Sequence, residues 1–234
     1  MTKFSLGSPI HNDLDMGPIG PDCKPVKSLD QIACECGTDR ASVFTRTYGK
    51  PHDYAKHYDK LFSHLRNGPV HLLEIGVGGG EGVRMWQSYF WHCESEVIGV
   101  DSQANTNPWD NEKLTPNYGY QFVQGNQGHP DFWEKFAKLH GEDGFDIILD
   151  DGSHINTDII TTFCCLWHYV KPGGFYAIED LNTSYDKGGF FVKPSLPSQM
   201  EFLKGKLDEL NHGQGGIDSM YFSKELCILK KATQ

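Results

Sequence analysis

Phe145-Asp146-Ile147-Ile148-Leu149-Asp150-Asp151-Gly152-Ser153-His154 is an apolar run that stops on acids, a turn and a histidine. Its apolar part has the length and branching of a strand buried on both faces. A second such run, Gly174-Phe175-Tyr176-Ala177-Ile178, stops on Glu179-Asp180, with Glu179 twenty-eight residues after Asp151. In an open α/β sheet the carboxyl ends of parallel strands face one crevice, so Asp151, Glu179, Asp180 and the His154 imidazole can converge there. Oxygen donors in that number suit a hard divalent cation, Mg²⁺ ahead of Mn²⁺ or Ca²⁺, and a neutral histidine beside it can take a proton from a hydroxyl. The plainer alternative is that strand-end acids cap the helices that follow them.

Outward from these runs the chain alternates. Val70 to Ile75, Glu96 to Val100 and Tyr120 to Val123 read as strands, and Glu81 to Phe90, Asp131 to Leu139 and Ile159 to Tyr169 as helices. Lys171-Pro172-Gly173-Gly174 reads as a turn before the strand that ends at Ile178. Such alternation implies parallel pairing with right-handed crossovers. The tail departs from it: after a helix from about Pro197 to Leu210, the runs Ile217 to Phe222 and Glu225 to Leu229 are separated by only Ser223-Lys224, which demands an antiparallel hairpin. A sheet of parallel strands closed by an antiparallel final pair is the class I methyltransferase pattern.

The N-terminal part is different in kind. Residues 1–27 are rich in Pro and Gly without periodicity and read as a loosely held arm. Residues 28–66 read as a helical cap: Ser28 begins a short helix, and Tyr54, His57-Tyr58, Leu61-Phe62 and Leu65 recur at helical spacing. Residues 67–234 form the main domain. His52, Tyr54 and His57 are candidates for contacts with a bound molecule, although such an aromatic stripe more commonly belongs to a core.

Composition narrows the classes. The 234 residues suffice for one α/β domain with an extension, and 38% apolar content supports a core. A net charge of −10, from 31 acids against 21 Lys and Arg, argues against nucleic acid, whose binding requires phosphate neutralisation. No apolar run reaches the length of about eighteen that a membrane span needs, and the first residues do not read as a signal peptide, so a soluble, cytoplasmic protein is expected. The seven cysteines are odd in number and include the adjacent Cys164-Cys165, so they read as reduced thiols, with that pair in the core of its helix. Cys34-x-Cys36 lacks the paired spacing of a zinc site.

Glu74-x-Gly76-x-Gly78-Gly79-Gly80 follows a strand and opens a helix, which lets the backbone approach a ligand and present helix N-terminal N–H groups. No Gly-Lys-Ser/Thr follows, which excludes a phosphate loop, and Glu81 stands where a dinucleotide fingerprint needs its third glycine. An acid at the strand end repels a pyrophosphate and suits a cationic ligand such as S-adenosylmethionine. Asp101, ending Ile98-Gly99-Val100-Asp101, is placed to accept hydrogen bonds from ribose hydroxyls.

Leu72-Leu73-Glu74-Ile75-Gly76-Val77-Gly78-Gly79, Val97 to Asp101, Phe145 to His154 and Lys171 to Leu181 together resemble the metal-dependent sugar O-methyltransferases, which modify deoxysugars of macrolides and tetracenomycins, with related domains acting on rhamnose in glycans. The resemblance runs from about Ser28 to the C-terminus and includes Cys36-Gly37-Thr38-Asp39-Arg40 and the segment ending Leu65-Arg66. It implies a Rossmann-like class I methyltransferase fold, with a mostly parallel seven-stranded sheet and an antiparallel C-terminal hairpin. It further implies Mg²⁺ (or Mn²⁺) on Asp151, Glu179 and Asp180, with His154 as base, and S-adenosylmethionine at Glu74, Gly76, Gly78, Asp101, Asn126, Gln127 and Asp150. His52, Tyr54 and Tyr185 are the candidate acceptor contacts. The chain departs from the family at Gly125-Asn126-Gln127, where Gly-Asp-Gln is usual, and at Asn182, where His is common.

The expected activity is methyl transfer from S-adenosylmethionine to a sugar hydroxyl, of rhamnose type, on a natural product or glycan. A metal-dependent methyltransferase of catechol-like phenols would use similar electrostatics, and a nucleotide-binding module or oxidoreductase is compatible with the same fold. The partner expected is a small-molecule or glycan hydroxyl, with a homo-oligomer left open.

Overall fold

The computed structural model describes residues 27–43, 50–103, 119–193 and 196–233. The expected arm, apart from Lys27, lies outside the described residues, as does Cys23. Seven strands, β1 (His71–Ile75), β2 (Glu96–Asp101), β3 (Gly119–Gln124), β4 (Phe145–Asp150), β5 (Val170–Ile178), β6 (Ile217–Ser223) and β7 (Leu226–Lys231), form one sheet in the order β3-β2-β1-β4-β5-β7-β6. β1 to β5 pair in parallel, and β7 runs antiparallel to both β5 and β6. The expected fold class is what is observed. From β1 the chain winds out to β3, then returns to β4 on the other side of β1. That reversal between β1 and β4 is where an open α/β sheet leaves a crevice at its carboxyl edge.

Among the described residues six α-helices cover the sheet: α1 (Leu29–Cys36), α2 (Ala55–Phe62), α3 (Glu81–Tyr89), α4 (Pro130–His140), α5 (Asn156–Leu166) and α6 (Gln199–Asn211). α1 and α6 open with capping boxes at Ser28 and Ser198, each hydroxyl accepting from the N–H three residues on. Because successive strand side chains point to opposite faces, Leu72 and Leu73 enter different cores. Leu72, Val97, Leu149 and Ala177 pack with α1, α2 and α3, whereas Leu73, Ile98, Ile148 and Tyr176 pack with α4, α5 and α6. This double coverage is why the strands read as continuous apolar runs.

Residues 28–66 do not carry a core of their own. Phe62 is fully buried, stacks on Tyr58 at 5.3 Å between ring centroids and meets Phe175 of β5 at 5.0 Å. The two N-terminal helices are thus one layer of the main domain. No described helix is long and apolar enough to cross a membrane.

Two expectations need correction. Lys171-Pro172-Gly173-Gly174 is not a turn preceding the strand: it is carried inside β5 as an irregularity, with Val170 opposite Phe145 and Phe175 already opposite Ile147. Gly173, at φ 79°, takes the left-handed conformation this requires. Cys164 and Cys165 are not core either, since Cys164 is exposed and Cys165 half-buried. The buried stripe of α5 is Ile159, Thr162, Phe163 and Leu166; helical geometry turns Cys164 away from it and leaves Cys165 packed at the edge of that core. All six described cysteines are free thiols.

Phe62→Ala should lower unfolding free energy by about 3–5 kcal/mol, the ordinary cost of emptying a buried aromatic site. Urea unfolding followed by both fluorescence and circular dichroism should show a single shifted transition. Separate transitions by the two probes would mean that residues 28–66 fold independently of the sheet.

Candidate active site

The glycine loop begins where β1 ends. Gly76, at φ 86°, lies so close to Asp151 that a Cβ there would land on the Asp151 carbonyl, so the two strand ends meet only because residue 76 is glycine. Asp101 shapes the same loop: its Oδ2 accepts from the N–H groups of Val77 (3.0 Å) and Gly78 (3.2 Å), and its Oδ1 from Gln103 N–H (3.0 Å). A carboxylate oxygen can still accept further hydrogen bonds in this arrangement.

Two cavities adjoin at this loop. One, of about 360 Å³, is lined by Asp101, Ser102, Asn126 and Gln127, and the other, of about 330 Å³, by Arg40, Glu74, Gly78, Asp151, His154 and Asp180. They share Gly76, Asp101 and Gly152 as a common wall, so the cleft has a lobe with few charges and a strongly acidic lobe. Each has the size of a small-molecule site. Of the cofactor residues expected from sequence, only Asp150 lines neither lobe. It is buried, and Gln127 Nε2 donates to its Oδ1 at 3.0 Å, while Gln127 Oε1 accepts from Ser153 N–H at 2.5 Å. The Gln127–Asp150 pair therefore braces the turn that carries Asp151 and His154. Burial pushes the Asp150 carboxyl up to about 7.

In the acidic lobe Asp151, His154 and Asp180 each offer one atom within 4.8 Å of the others. His154 Nε2 stands 3.6 Å from Asp180 Oδ2 and 4.0 Å from Asp151 Oδ1. Both His154 (φ 57°) and Asp180 (φ 54°) hold the left-handed backbone conformation that non-glycine residues avoid, at a cost of about 1–3 kcal/mol each. Strain at two of three converging groups is characteristic of a functional site.

Glu179 sits behind this trio. It is 2% exposed, and its Oε1 accepts from Arg40 Nε at 2.7 Å and from the Tyr58 hydroxyl at 2.6 Å. Arg40 also donates to Glu74 Oε1 and Asp151 Oδ2, both at 2.7 Å. Neither Arg40 nor Tyr58 was singled out from sequence for the site. Arg40 lies 34, 111 and 139 residues from its three partners, so no local pattern could reveal it. Burial opposes its charge, but Glu179, Glu74 and Asp151 outweigh that and hold it firmly protonated.

Of the candidate acceptor contacts, His52 and Tyr54 reach the acids directly. The Tyr54 hydroxyl donates to Asp180 Oδ1 at 3.0 Å, and His52 Nδ1 lies 3.2 Å from the same oxygen. Tyr54 is itself only 2% exposed. Burial would raise the Asp180 carboxyl, but the His52 hydrogen bond and the His154 and His52 charges hold it below the usual range. Tyr185 is 67% exposed and lines neither lobe. His57 is turned elsewhere, pairing with Tyr221 and Ser223, each at 2.8 Å.

The donor set fits a divalent cation. Glu74, Asp151, Glu179 and Asp180 crowd round one guanidinium, which leaves their negative charge only partly compensated, and burial pushes Asp151 and Glu179 up, each against the pull of Arg40, and carries Glu74 to about 7. It also fits a cationic ligand with hydrogen-bond donors, because Glu74 Oε2 is buried with no partner among the described residues.

No family model matches the chain. Among curated proteins it is 35% identical over 203 residues to mycinamicin VI 2''-O-methyltransferase of Micromonospora griseorubida, covering 80% of this chain and 48% of that one. It is 33% identical over 175 residues to 8-demethyl-8-(2-methoxy-alpha-L-rhamnosyl)-tetracenomycin-C 3'-O-methyltransferase of Streptomyces olivaceus, covering 70% of this chain and 42% of the relative. The structure is similar to that of MycE methyltransferase from the mycinamycin biosynthetic pathway in complex with Mg, SAH and mycinamycin VI, with a TM-score of 0.73, 30% identity and coverage of 89% of this chain and 55% of that one. The chain thus spans about half the length of the relatives it matches.

Gly82, in α3, tests how tightly the acidic lobe is built. A Cβ there would land on Arg40 Nη1 and Glu74 Oε1, whereas a Cβ on Gly205 in α6 would meet open space. Gly82→Ala should destabilise by about 1–3 kcal/mol, as overpacking does. Gly205→Ala should stabilise by about 0.4–1 kcal/mol, because it only restricts the unfolded chain. Paired urea unfolding curves measure both, and equal effects would contradict the close packing around Arg40.

Proposed function

Because this chain belongs to the deoxysugar O-methyltransferase family of class I methyltransferases, we propose that it moves a methyl group from S-adenosylmethionine to a sugar hydroxyl in a metal-dependent reaction. The observation that carries this reading is the cleft itself: a lobe lined by Asp101, Asn126 and Gln127 adjoins, across Gly76, a lobe where the glycine loop meets the converging Asp151, His154 and Asp180. The acceptor class is a deoxysugar of rhamnose type, on a small glycoside or a glycan, since a relative is named for a rhamnosyl acceptor.

The roles follow from the two lobes. Asp101, Asn126 and Gln127 lie where a nucleoside would be held, and Glu74, with Gly76 and Gly78, lies where the sulfonium end would meet negative charge. Asp150 acts at one remove, through Gln127. Asp151, Glu179 and Asp180 are the carboxylates proposed to hold Mg²⁺, with Mn²⁺ as a substitute. When bound, the donor supplies an electrophilic methyl group and the cation makes a neighbouring hydroxyl more acidic.

The protein's own work is alignment and proton transfer. His154 Nε2, on the acidic lobe, would accept the proton of the acceptor hydroxyl as that oxygen takes up the methyl group the donor would supply. Tyr54 and His52 hold Asp180 by its other oxygen, which leaves Oδ2 turned toward His154. Tyr185, exposed on the 3₁₀ turn Leu181–Tyr185 that follows Asp180, is proposed as an outer acceptor contact.

Methyl transfer from labelled donor to a panel of methyl glycosides and catechols tests the reading. Turnover should appear with a deoxysugar acceptor and vanish in excess EDTA once metal removal is confirmed. Full turnover without metal, or methylation of catechols alone, would overturn it.

His154→Ala should cut turnover about 10²–10⁴-fold while calorimetric affinity for the donor and the melting temperature stay close to wild type. Near-wild-type turnover would remove His154 as the base. A loss of stability with proportionate loss of donor binding would make it a structural residue.

A further inference from the structure

The acidic lobe gathers carboxylates from three strand ends: Glu74 from β1, Asp151 from beyond β4, and Glu179 and Asp180 from beyond β5. Arg40 meets three of them with three different nitrogens, Nη1 on Glu74, Nη2 on Asp151 and Nε on Glu179, all at 2.7 Å. Its side chain is 3% exposed. The three contacts leave from nitrogens spread over a planar fork, a geometry that the single Nζ of a lysine cannot reproduce.

The consequence for Asp151 is specific. Its Oδ2 is taken by Arg40, which leaves Oδ1 on the side of His154 and Asp180. The backbone that delivers Arg40 is itself pinned, because the Arg40 carbonyl accepts from Ala55 N–H at 2.9 Å and the Asp39 carbonyl from His52 N–H at 2.7 Å. Gly82 leaves the space into which the guanidinium fits.

We propose that Arg40 is a positioning residue for the metal site, fixing the rotation of Asp151 and the place of Glu179 so that the acidic lobe is set before a cation arrives. The inference rests on the metal-dependent reading above. It opposes the simple expectation that one cation repels another, under which removing Arg40 would tighten metal binding. It also assigns residues 28–66 a role beyond packing on the sheet: they supply Arg40 to Asp151 and Glu179, Tyr58 to Glu179, and Tyr54 to Asp180.

The test is titration of Mn²⁺ into the metal-free protein, followed by calorimetry and by the electron paramagnetic resonance of free Mn²⁺, for wild type, Arg40→Lys and Arg40→Met. Arg40→Lys keeps the charge and loses the fork. It should weaken Mn²⁺ binding about 10–100-fold, the range seen when groups that orient metal ligands are removed. Arg40→Met should weaken it at least as much. In turnover, the Mn²⁺ concentration for half-maximal rate should rise while kcat at saturating Mn²⁺ changes little for Arg40→Lys. Lys171→Met, which removes the Lys171–Asp146 ion pair at 2.8 Å on another part of β4 and β5, controls for stability alone and should leave the Mn²⁺ titration unchanged. Unchanged or tighter Mn²⁺ binding in folded Arg40→Lys or Arg40→Met overturns the proposal. Should Arg40→Met fail to fold, Arg40→Lys decides it. Wild-type protein that binds no Mn²⁺ would instead refute the metal-dependent reading, and the positioning role with it.

Discussion

Carboxylates converging at one edge of a parallel sheet repel one another, and the chain must hold them there without the relief that water provides. Glu74, Asp151, Glu179 and Asp180 crowd together at this edge, and one guanidinium ties three of them together. A buried ion pair is a weak stabiliser in itself, because desolvation offsets most of the Coulombic gain, but breaking one by removing a partner is costly. The cluster is therefore better understood as a device for holding geometry than as a source of stability.

That geometry explains several features that are otherwise unrelated. Gly76 and Gly82 lack side chains because Asp151 and Arg40 occupy the space a Cβ would take. His154 and Asp180 accept left-handed backbone conformations so that their side chains face one another. Gln127 is buried against Asp150 and Ser153, which braces the turn between them. The strain and close packing are concentrated at the carboxyl edge, while the two apolar cores on either side of the sheet supply the stability that offsets them.

Much of this was legible in the chain. Strand runs that stop on acids, the glycine loop with Glu74 and Asp101, and the short link before the last strand all carry local signals, and each element formed within a few residues of where the pattern places it. The errors were also local. Lys171 to Gly174 has the composition of a turn, but the pairing of Val170 and Phe175 with β4 on either side of it carries the segment inside the strand as an irregularity of register. Cys164 and Cys165 sit in an apolar helix, yet its core-facing stripe follows Ile159, Thr162, Phe163 and Leu166, which leaves Cys164 outside and Cys165 at the edge.

The order of apolar and polar residues, read at periods of two and 3.6, was enough to determine the layers of this protein and the acids at the ends of its strands, because strand and helix periodicity are properties of neighbouring residues. Only the tertiary structure decided that Glu179 meets Arg40 and Tyr58 behind the acids that line the cleft. Those partners are separated from Glu179 by 139 and 121 residues, and no periodicity spans such a distance. Their meeting depends on how α1 and α2 pack against the sheet, which is settled by the shared core of Tyr58, Phe62, Trp86 and Phe175.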